Sequence, residues 1–373
     1  MKKNFFVFQL LLSLIFLSAV VVLPGCAKEE TPGDPDEKKL YFPPVNSSAW
    51  ETTTPESLSW NVENLDPLYK FLSDNGTRAF IVLKDGRIVI EKYWGTTILN
   101  NATFEADSEW YWASAGKTII AFLVGIAQQE NLLDIDDKTS DYLGEGWTSM
   151  DAEKENLITI RHQLTMTTGL DYLVKDLNCT FPGCLHYKND AGNQWFYHNA
   201  PYLLLKEVLN NASGTDYDTF TDQKLEAQIG MSGKWIGGVE SMYWSTPRDM
   251  ARFGLLNLNK GKWNDTQVLT GSNYFNEMTS SSQSLNPSYG FLWWLNGKSS
   301  IVLPGLPLSL NTELAANAPD DLITGAGKNG QFVDIVPSKN IVVVRMGEAP
   351  DGSALAVQFH NKMWEKLNFV IPD

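Results

Sequence analysis

Ser114-Ala115-Gly116-Lys117, followed at once by Thr118-Ile119-Ile120-Ala121-Phe122-Leu123-Val124-Gly125-Ile126-Ala127, is the stretch on which the reading of this chain turns. It is the only Ser-x-x-Lys in the 373 residues. A serine hydroxyl is a weak nucleophile at neutral pH and needs a nearby base to take its proton. The run that follows predicts a helix. If Ser114 opens that helix, Lys117 stands one turn further on and on the same face, with its amine in reach of the hydroxyl. The helix N-terminus then offers backbone N–H groups to an oxyanion. The motif is short, and a helix-capping serine with a solvated lysine gives the same pattern. Its meaning depends on two further elements later in the chain.

Tyr197-His198-Asn199 is the second element. Tyr-x-Asn also occurs at Tyr187-Lys188-Asn189 and Tyr274-Phe275-Asn276. Context favours Tyr197, which lies between Trp195-Phe196 and a strong helix start, Asn199-Ala200-Pro201-Tyr202-Leu203-Leu204-Leu205. Asn199 suits a helix cap and Pro201 a first turn, which leaves Tyr197 on the turn before the helix. The third element is Lys328-Asn329-Gly330, ahead of Gln331-Phe332-Val333-Asp334-Ile335-Val336, whose alternation predicts a strand. A turn at Pro337-Ser338-Lys339-Asn340 leads into Ile341-Val342-Val343-Val344-Arg345-Met346, the returning and more deeply buried strand. Lys84-Asp85-Gly86 repeats the Lys-x-Gly spacing but reads as a hairpin turn.

Three such elements in this order resemble the serine β-lactamase and penicillin-binding-protein superfamily. Tyr-x-Asn in second place resembles its class C branch, with relatives among esterases, DD-peptidases and nylon-oligomer hydrolases. Ile158–Leu170 and Ser245–Gly254 resemble further segments of that branch, the latter with a Thr-x-x-Asp cap and Pro247 at the first helical position. The resemblance covers residues 60 to 370 or so. It implies Ser114 as nucleophile, with Lys117 and Tyr197 sharing the proton work and the choice of base open between them. It implies an oxyanion held by the backbone of Ser114 and Gln331, and a substrate oriented by Asn199, Lys328, Asn329 and Gly330. The superfamily's Lys-Thr-Gly is here Lys328-Asn329-Gly330, and the missing threonine counts against β-lactam hydrolysis.

The chain starts with Met1-Lys2-Lys3 and an apolar stretch from Phe5 to Leu23, a secretory pattern. Leu23-Pro24-Gly25-Cys26 resembles a bacterial lipobox, so residues 1–25 are expected to be a signal peptide and Cys26 a lipidated N-terminus. An uncleaved anchor helix is the alternative. Ala27-Lys28-Glu29-Glu30 resembles a lipoprotein export signal of Bacteroidota, which implies an outer-membrane and even cell-surface location. Residues 26–45 read as a tether. The two remaining cysteines, Cys179 and Cys184, enclose a Pro-Gly turn; a small disulfide loop fits an oxidising compartment, and two free thiols are the alternative. They lack companions at metal-ligand spacing, so no metal site is expected, and no cofactor is implied.

The net charge is −15. Such a chain is a poor partner for nucleic acid, and its expected link to the membrane is the acyl group of Cys26. The four histidines are scattered along the chain and suggest no Ser-His-Asp triad. The expected architecture is α+β. A helix near Pro67–Leu72 precedes a hairpin, Arg78–Leu83 and Arg87–Tyr93. A mostly helical insertion spans about 112–284, strands follow at Tyr289–Trp294 and from Gly330 to Met346, and a helix through Leu355, Phe359, Met363 and Leu367 closes a domain covering 46–373. First and last segments are to share one antiparallel sheet flanked by terminal helices. Pocket walls are expected from Val302–Asp321; Trp110, Trp112, Trp195, Trp293 and Trp294, close to the motifs, suggest an aromatic pocket, with core and rim packing the preferred reading for any single one. The expected function is serine hydrolysis of a small ester or amide, carboxylate-bearing or not, with β-lactamase or DD-peptidase activity as the alternative. A surface lipoprotein that binds a glycan or peptidoglycan and turns nothing over is the reading from another class. Nothing in the sequence fixes an oligomeric state.

Overall fold

Asp85 and Gly86 both take positive φ, 51° and 82°. Two such residues make a turn whose twist matches its strands, and they fold β1 (Thr77–Lys84) onto β2 (Arg87–Tyr93). Glycine is required here, because a Cβ on Gly86 would lie 1.9 Å from the Tyr41 carbonyl oxygen. The structure, a computed structural model, describes residues 40–372. The expectations on residues 1–25, Cys26 and the first part of the tether lie outside them.

The later strands are β3 (Trp110–Tyr111), β4 (Gly233–Ile236), β5 (Met242–Ser245), β6 (Lys262–Trp263), β7 (Thr266–Gln267), β8 (Trp294–Leu295), β9 (Ile323–Gly327), β10 (Gln331–Val336) and β11 (Ile341–Gly347). The main sheet runs β2-β1-β11-β10-β9-β8, with each pair antiparallel. β11 lies between β1 and β10, with Val82 opposite Val343 and Val333 opposite Val344. The two ends of the domain therefore meet in one sheet, as expected. The helices are α1 (Leu65–Asp74), α2 (Lys117–Gln129), α3 (Ser140–Leu143), α4 (Ala152–Glu155), α5 (Ile160–Leu164), α6 (Asn199–Ser213), α7 (Tyr217–Thr221), α8 (Ala227–Ile229), α9 (Pro247–Leu258), α10 (Ser272–Met278) and α11 (Val357–Val370).

Every residue of β10 and β11 is buried, because helices cover both faces. Alternation along β10 shows how. Phe332 stacks on His360 of α11 at 4.2 Å, and Asp334 accepts hydrogen bonds from His360 Nε2 (2.7 Å) and Trp364 Nε1 (2.8 Å). Val333 points the other way, towards α9, where a Cβ on Gly254 would lie 3.1 Å from Val333 Cγ2 and 2.5 Å from Val342 Cγ1. α9 begins as its sequence predicts, with Thr246 and Asp249 in a reciprocal cap and Pro247 first.

Several expectations change. α9 lies in the stretch read as an inserted helical region, yet it packs on the main sheet. That region also holds a small sheet, β3-β5-β4. The strand expected at Tyr289–Trp294 shrinks to Trp294–Leu295, since Leu292 takes φ 60° and turns the chain. β9 was not foreseen, because glycines at 325 and 327 weaken a strand signal. Residues 40–45, read as the end of the tether, are docked: Tyr41 N bonds Asp85 O (3.0 Å), Phe42 meets Trp263 edge-on at 5.1 Å, and Arg252 donates to Pro44 O (3.1 Å).

Candidate active site

Ala113 takes φ 48°, unusual for a residue with a Cβ, and turns the chain from β3 into a tight 3₁₀ turn, Ala113–Gly116. Ser114 stands in this turn, just ahead of α2 rather than in it. Lys117 opens α2, and its Nζ lies 3.2 Å from Ser114 Oγ. The residue is 4% exposed. Its amine sits over the rings of Tyr202 (4.1 Å) and Tyr197 (5.3 Å), and among the described residues no carboxylate pairs with it. Burial, and secondly the nearby Lys206, lower its pKa to about 7.

Tyr197 is the Tyr-x-Asn tyrosine brought to Ser114. Its ring stacks on Trp294 at 5.9 Å and meets Tyr289 edge-on at 6.3 Å. Burial pushes the phenol well above its ordinary range, with the Ser114 hydroxyl acting weakly in the opposite sense. Tyr274 is buried elsewhere, donating to Ala121 O at 2.6 Å, and Tyr187 is exposed and bonds Asp190. His198 rather than Asn199 caps α6, its Nδ1 accepting from Ala200 N at 3.3 Å. Burial lowers its pKa to about 4, which keeps it neutral. Asn199 is thereby free to face the cleft. Its Nδ2 donates to Asn178 Oδ1 at 2.7 Å, while its buried Oδ1 accepts no bond among the described residues.

The cleft is a cavity of about 500 Å³. Ser114, Lys117, Asn199, Lys328 and Asn329 line it, together with Tyr111, Ala113, Asn178, Tyr202, Leu203, Glu240, Ser241 and Met242. The helical side and the sheet thus meet at Ser114. Two assignments on the sheet side need correction. Gly330, expected to begin the strand, lies instead in the tight turn Lys328–Gly330 between β9 and β10, with Asn329 at φ 66° and Gly330 at φ 73°. The strand beside the serine is β9. β8 pairs only with Ile323 and Thr324, so the outer edge of Gly325–Gly327 is left to the Ser114 turn. A Cβ on Gly327 would lie 2.4 Å from Trp112 O and 3.0 Å from Ala115 N. Gln331, expected as an oxyanion donor, begins β10, one strand further in. It is fully buried, does not line the cavity, and ties Gly347 through both ends of its amide (2.7 and 2.9 Å).

Asn329 Nδ2 donates to Tyr111 Oη at 2.7 Å, so its amide is already engaged. Gly330 is buried behind the turn, where Arg345 donates to the carbonyls of Asn329 (2.6 Å) and Gly330 (3.0 Å). Lys328 is exposed at the rim. None of the five tryptophans lines the cavity; all are buried core residues. The segment 302–321 does not line it either, and its place is taken by Asn178, Asn199, Tyr202, Leu203 and residues 240–242. Cys179 and Cys184 are joined in a disulfide next to Asn178, whose Nδ2 bonds Glu240 Oε2 at 3.1 Å. Asn178, Glu240, Ser241 and Tyr202 were missed from sequence. One signal was available for Tyr202 and for the buried Lys206 near it: a tyrosine and a lysine four apart on the apolar face of a helix.

A model of the family described as Beta-lactamase matches residues 75–357. An uncharacterized protein of Alkalihalophilus pseudofirmus is 27% identical over 317 residues, 76% of this chain and 87% of that protein. A Bacillus anthracis structure with the provisional name 6-aminohexanoate-dimer hydrolase superposes with a TM-score of 0.66 at 18% identity, covering 88% of this chain and 89% of that one. A penicillin-binding protein of Bacillus halodurans gives 0.60 at 16% identity, over 80% and 98%. The structural likenesses establish a shared fold, and the family model spans most of the sequence: the chain belongs to the beta-lactamase family, within the superfamily of serine β-lactamases and penicillin-binding proteins.

Proposed function

We propose that this protein is a serine hydrolase that cleaves a small ester or amide through an acyl-enzyme on Ser114. The observation that carries this is the buried Lys117 amine, 3.2 Å from Ser114 Oγ, without an acidic partner and with its pKa lowered to about 7. A lysine in that state is a base matched to neutral pH. Ser114 Oγ bonds to the substrate carbonyl carbon while its proton passes to Lys117 Nζ. The oxyanion is assigned to the backbone N–H groups of Ser114 and, in place of Gln331, Lys328, which follows the glycine packed against the Ser114 turn. Collapse breaks the bond to the leaving group, which takes a proton. Tyr197, whose raised pKa keeps it a phenol, is assigned the passing of that proton from Lys117. Water then attacks the acyl-enzyme by the reverse sequence and frees Ser114.

Glycine and alanine stand at 325–327 beside the serine, so this edge has neither a hydroxyl nor an amine of its own for a β-lactam carboxylate. Lys328 offers a charge, but from the exposed rim. Asn199 lines the same cavity, with its Nδ2 held by Asn178 Oδ1 at 2.7 Å. Small activated esters and amides are therefore expected to be substrates, with penicillins and cephalosporins poor ones. Comparing kcat/KM for a p-nitrophenyl ester and a cephalosporin on the wild type tests this. A cephalosporin turned over far better than the ester overturns the substrate assignment. Lipidation of Cys26 is part of the same proposal and places this domain on a membrane; Cys26→Ser is expected to abolish palmitate labelling, and retained labelling contradicts it.

A further inference from the structure

Lys206 lies on α6 one turn after Tyr202 and is 3% exposed. Its Nζ donates to Ser241 O (2.7 Å) and Ser241 Oγ (2.8 Å), and Tyr217 Oη lies 2.6 Å from the same Oγ. The rings of Trp235, Tyr202 and Tyr217 surround it at 4.6, 5.3 and 5.4 Å. α7 presents Tyr217, flanked by Asp216 and Asp218; the turn before β5 presents Glu240 beside Ser241. None of these acids pairs with Lys206. Asp216 Oδ1 caps α7, Asp218 Oδ1 accepts from Trp235 N at 3.1 Å, and Glu240 Oε2 accepts from Asn178. Lys206 thus has no counter-ion among the described residues.

The Tyr202 ring carries two lysines, Lys117 at 4.1 Å and Lys206 at 5.3 Å. Two ammonium groups against one ring, in an interior without a counter-ion, repel across a low dielectric. Around Lys117 the other titratable or charged groups are Tyr197, with Tyr111, Lys328 and Glu240 on the cavity wall; none supplies it with an ion pair. The two amines are not equivalent. Lys206 has two acceptors and three rings to stabilise a cation, whereas Lys117 has the Ser114 hydroxyl and two rings.

We propose that Lys206 is a positioning residue that holds the single proton of a two-lysine pair and so leaves Lys117 neutral to take the proton of Ser114. The lowered pKa of both amines, about 7 for each, agrees with this; such a pair titrates as a unit. Lys117 must be unprotonated to act, so reactivity of Ser114 rises with pH through the pKa of Lys117. Removing the Lys206 charge raises that pKa and moves the acid limb to higher pH.

This inference rests on Ser114 being the nucleophile, and one experiment separates the two. The full chain is treated with a fluorophosphonate, and the rate of Ser114 labelling is followed by mass spectrometry from pH 5.5 to 10. The wild type should show an acid limb near neutrality. In Lys206→Met the limb should move up by about one pH unit, roughly a fivefold loss at pH 7 that is regained by pH 9. Lys206→Arg, which keeps a cation, should leave the limb at or below its wild-type position. An unmoved limb in Lys206→Met, with rates lowered equally at every pH, or a limb raised in Lys206→Arg, overturns the role of Lys206. Absence of labelling in the wild type at every pH overturns the nucleophile assignment, and this inference with it.

Discussion

The two walls of the cleft work by different means. The helical wall acts through side chains: Ser114 on its tight turn, the buried amine of Lys117, Tyr197 packed on Trp294, and Asn199 released from capping by His198. The sheet wall acts through backbone. At Gly325–Gly327 there is little but main chain beside the Ser114 turn, and the nearest charged side chain, Lys328, is exposed at the rim. On the proposed mechanism, reactive groups and their protonation belong to one wall; close approach and one of the two oxyanion donors are assigned to the other. Substitutions on the two walls should therefore fail in different ways.

The largest effect is expected on the helical wall. Ser114→Ala should lower kcat by about 10⁴- to 10⁶-fold, the range seen for nucleophiles of serine hydrolases, with folding retained. Tyr197→Phe should also be severe. Tyr274→Phe should act on stability instead, by about 1 kcal/mol for its buried bond to Ala121 O, and Tyr187→Phe should change neither much. Steady-state kinetics and thermal melts on the four variants test the split. Tyr274→Phe losing more activity than Tyr197→Phe would place the wrong tyrosine at the site.

On the sheet wall the sensitive position is a glycine. Gly327→Ala puts a Cβ 2.4 Å from Trp112 O, so strand and serine turn must separate. A misplacement of about 1 Å costs on the order of 10²-fold in rate, and kcat should fall by that much with KM less affected. Wild-type kcat in this variant contradicts a backbone role for β9. Lys328→Ala should do less. An exposed charge contact is worth about 0.5–1 kcal/mol, so KM for a carboxylate-bearing ester should rise roughly two- to fivefold, with KM for a neutral ester unchanged. Equal changes for both esters rule out carboxylate recognition by Lys328.

The smallest effect concerns the rim. Replacing Cys179 and Cys184 by serine opens a loop of a few residues, for which chain entropy gives about 2 kcal/mol of stability. The melting temperature should drop modestly. KM should rise a few-fold, because Asn178, next to Cys179, bridges Asn199 and Glu240 across the cavity wall. A variant with altered kcat and unaltered KM assigns the loop a different role.

Legibility in the sequence divides along the same line. Ser114, Lys117 and Tyr197 were legible because side-chain chemistry at fixed spacing leaves a pattern, and because hairpins, caps and apolar runs mark their elements. β1, β2, β10, β11, α1 and α11 were found for the latter reason. β9 was not, since Gly325 and Gly327 remove the side chains by which a strand is recognised. With β9 unseen, Lys328-Asn329-Gly330 stands in for the strand it adjoins, and Gln331 for the oxyanion donor. Lys206 escaped notice for another reason. A single lysine on a helix is ordinarily solvated, and its burial between α7 and the Ser241 turn depends on contacts between residues 35 positions apart.

The most direct test of the central assignment is covalent. The full chain is incubated with a fluorophosphonate at pH 8, and the labelled peptides are mapped by mass spectrometry. One adduct per chain is expected, on the peptide carrying Ser114 and absent from Ser114→Ala. Ser241 supplies an internal control, being a second serine on the same cavity beside a lysine and a tyrosine. No adduct on Ser114, or an adduct on Ser241 that persists in Ser114→Ala, would contradict the assignment of Ser114 as the nucleophile.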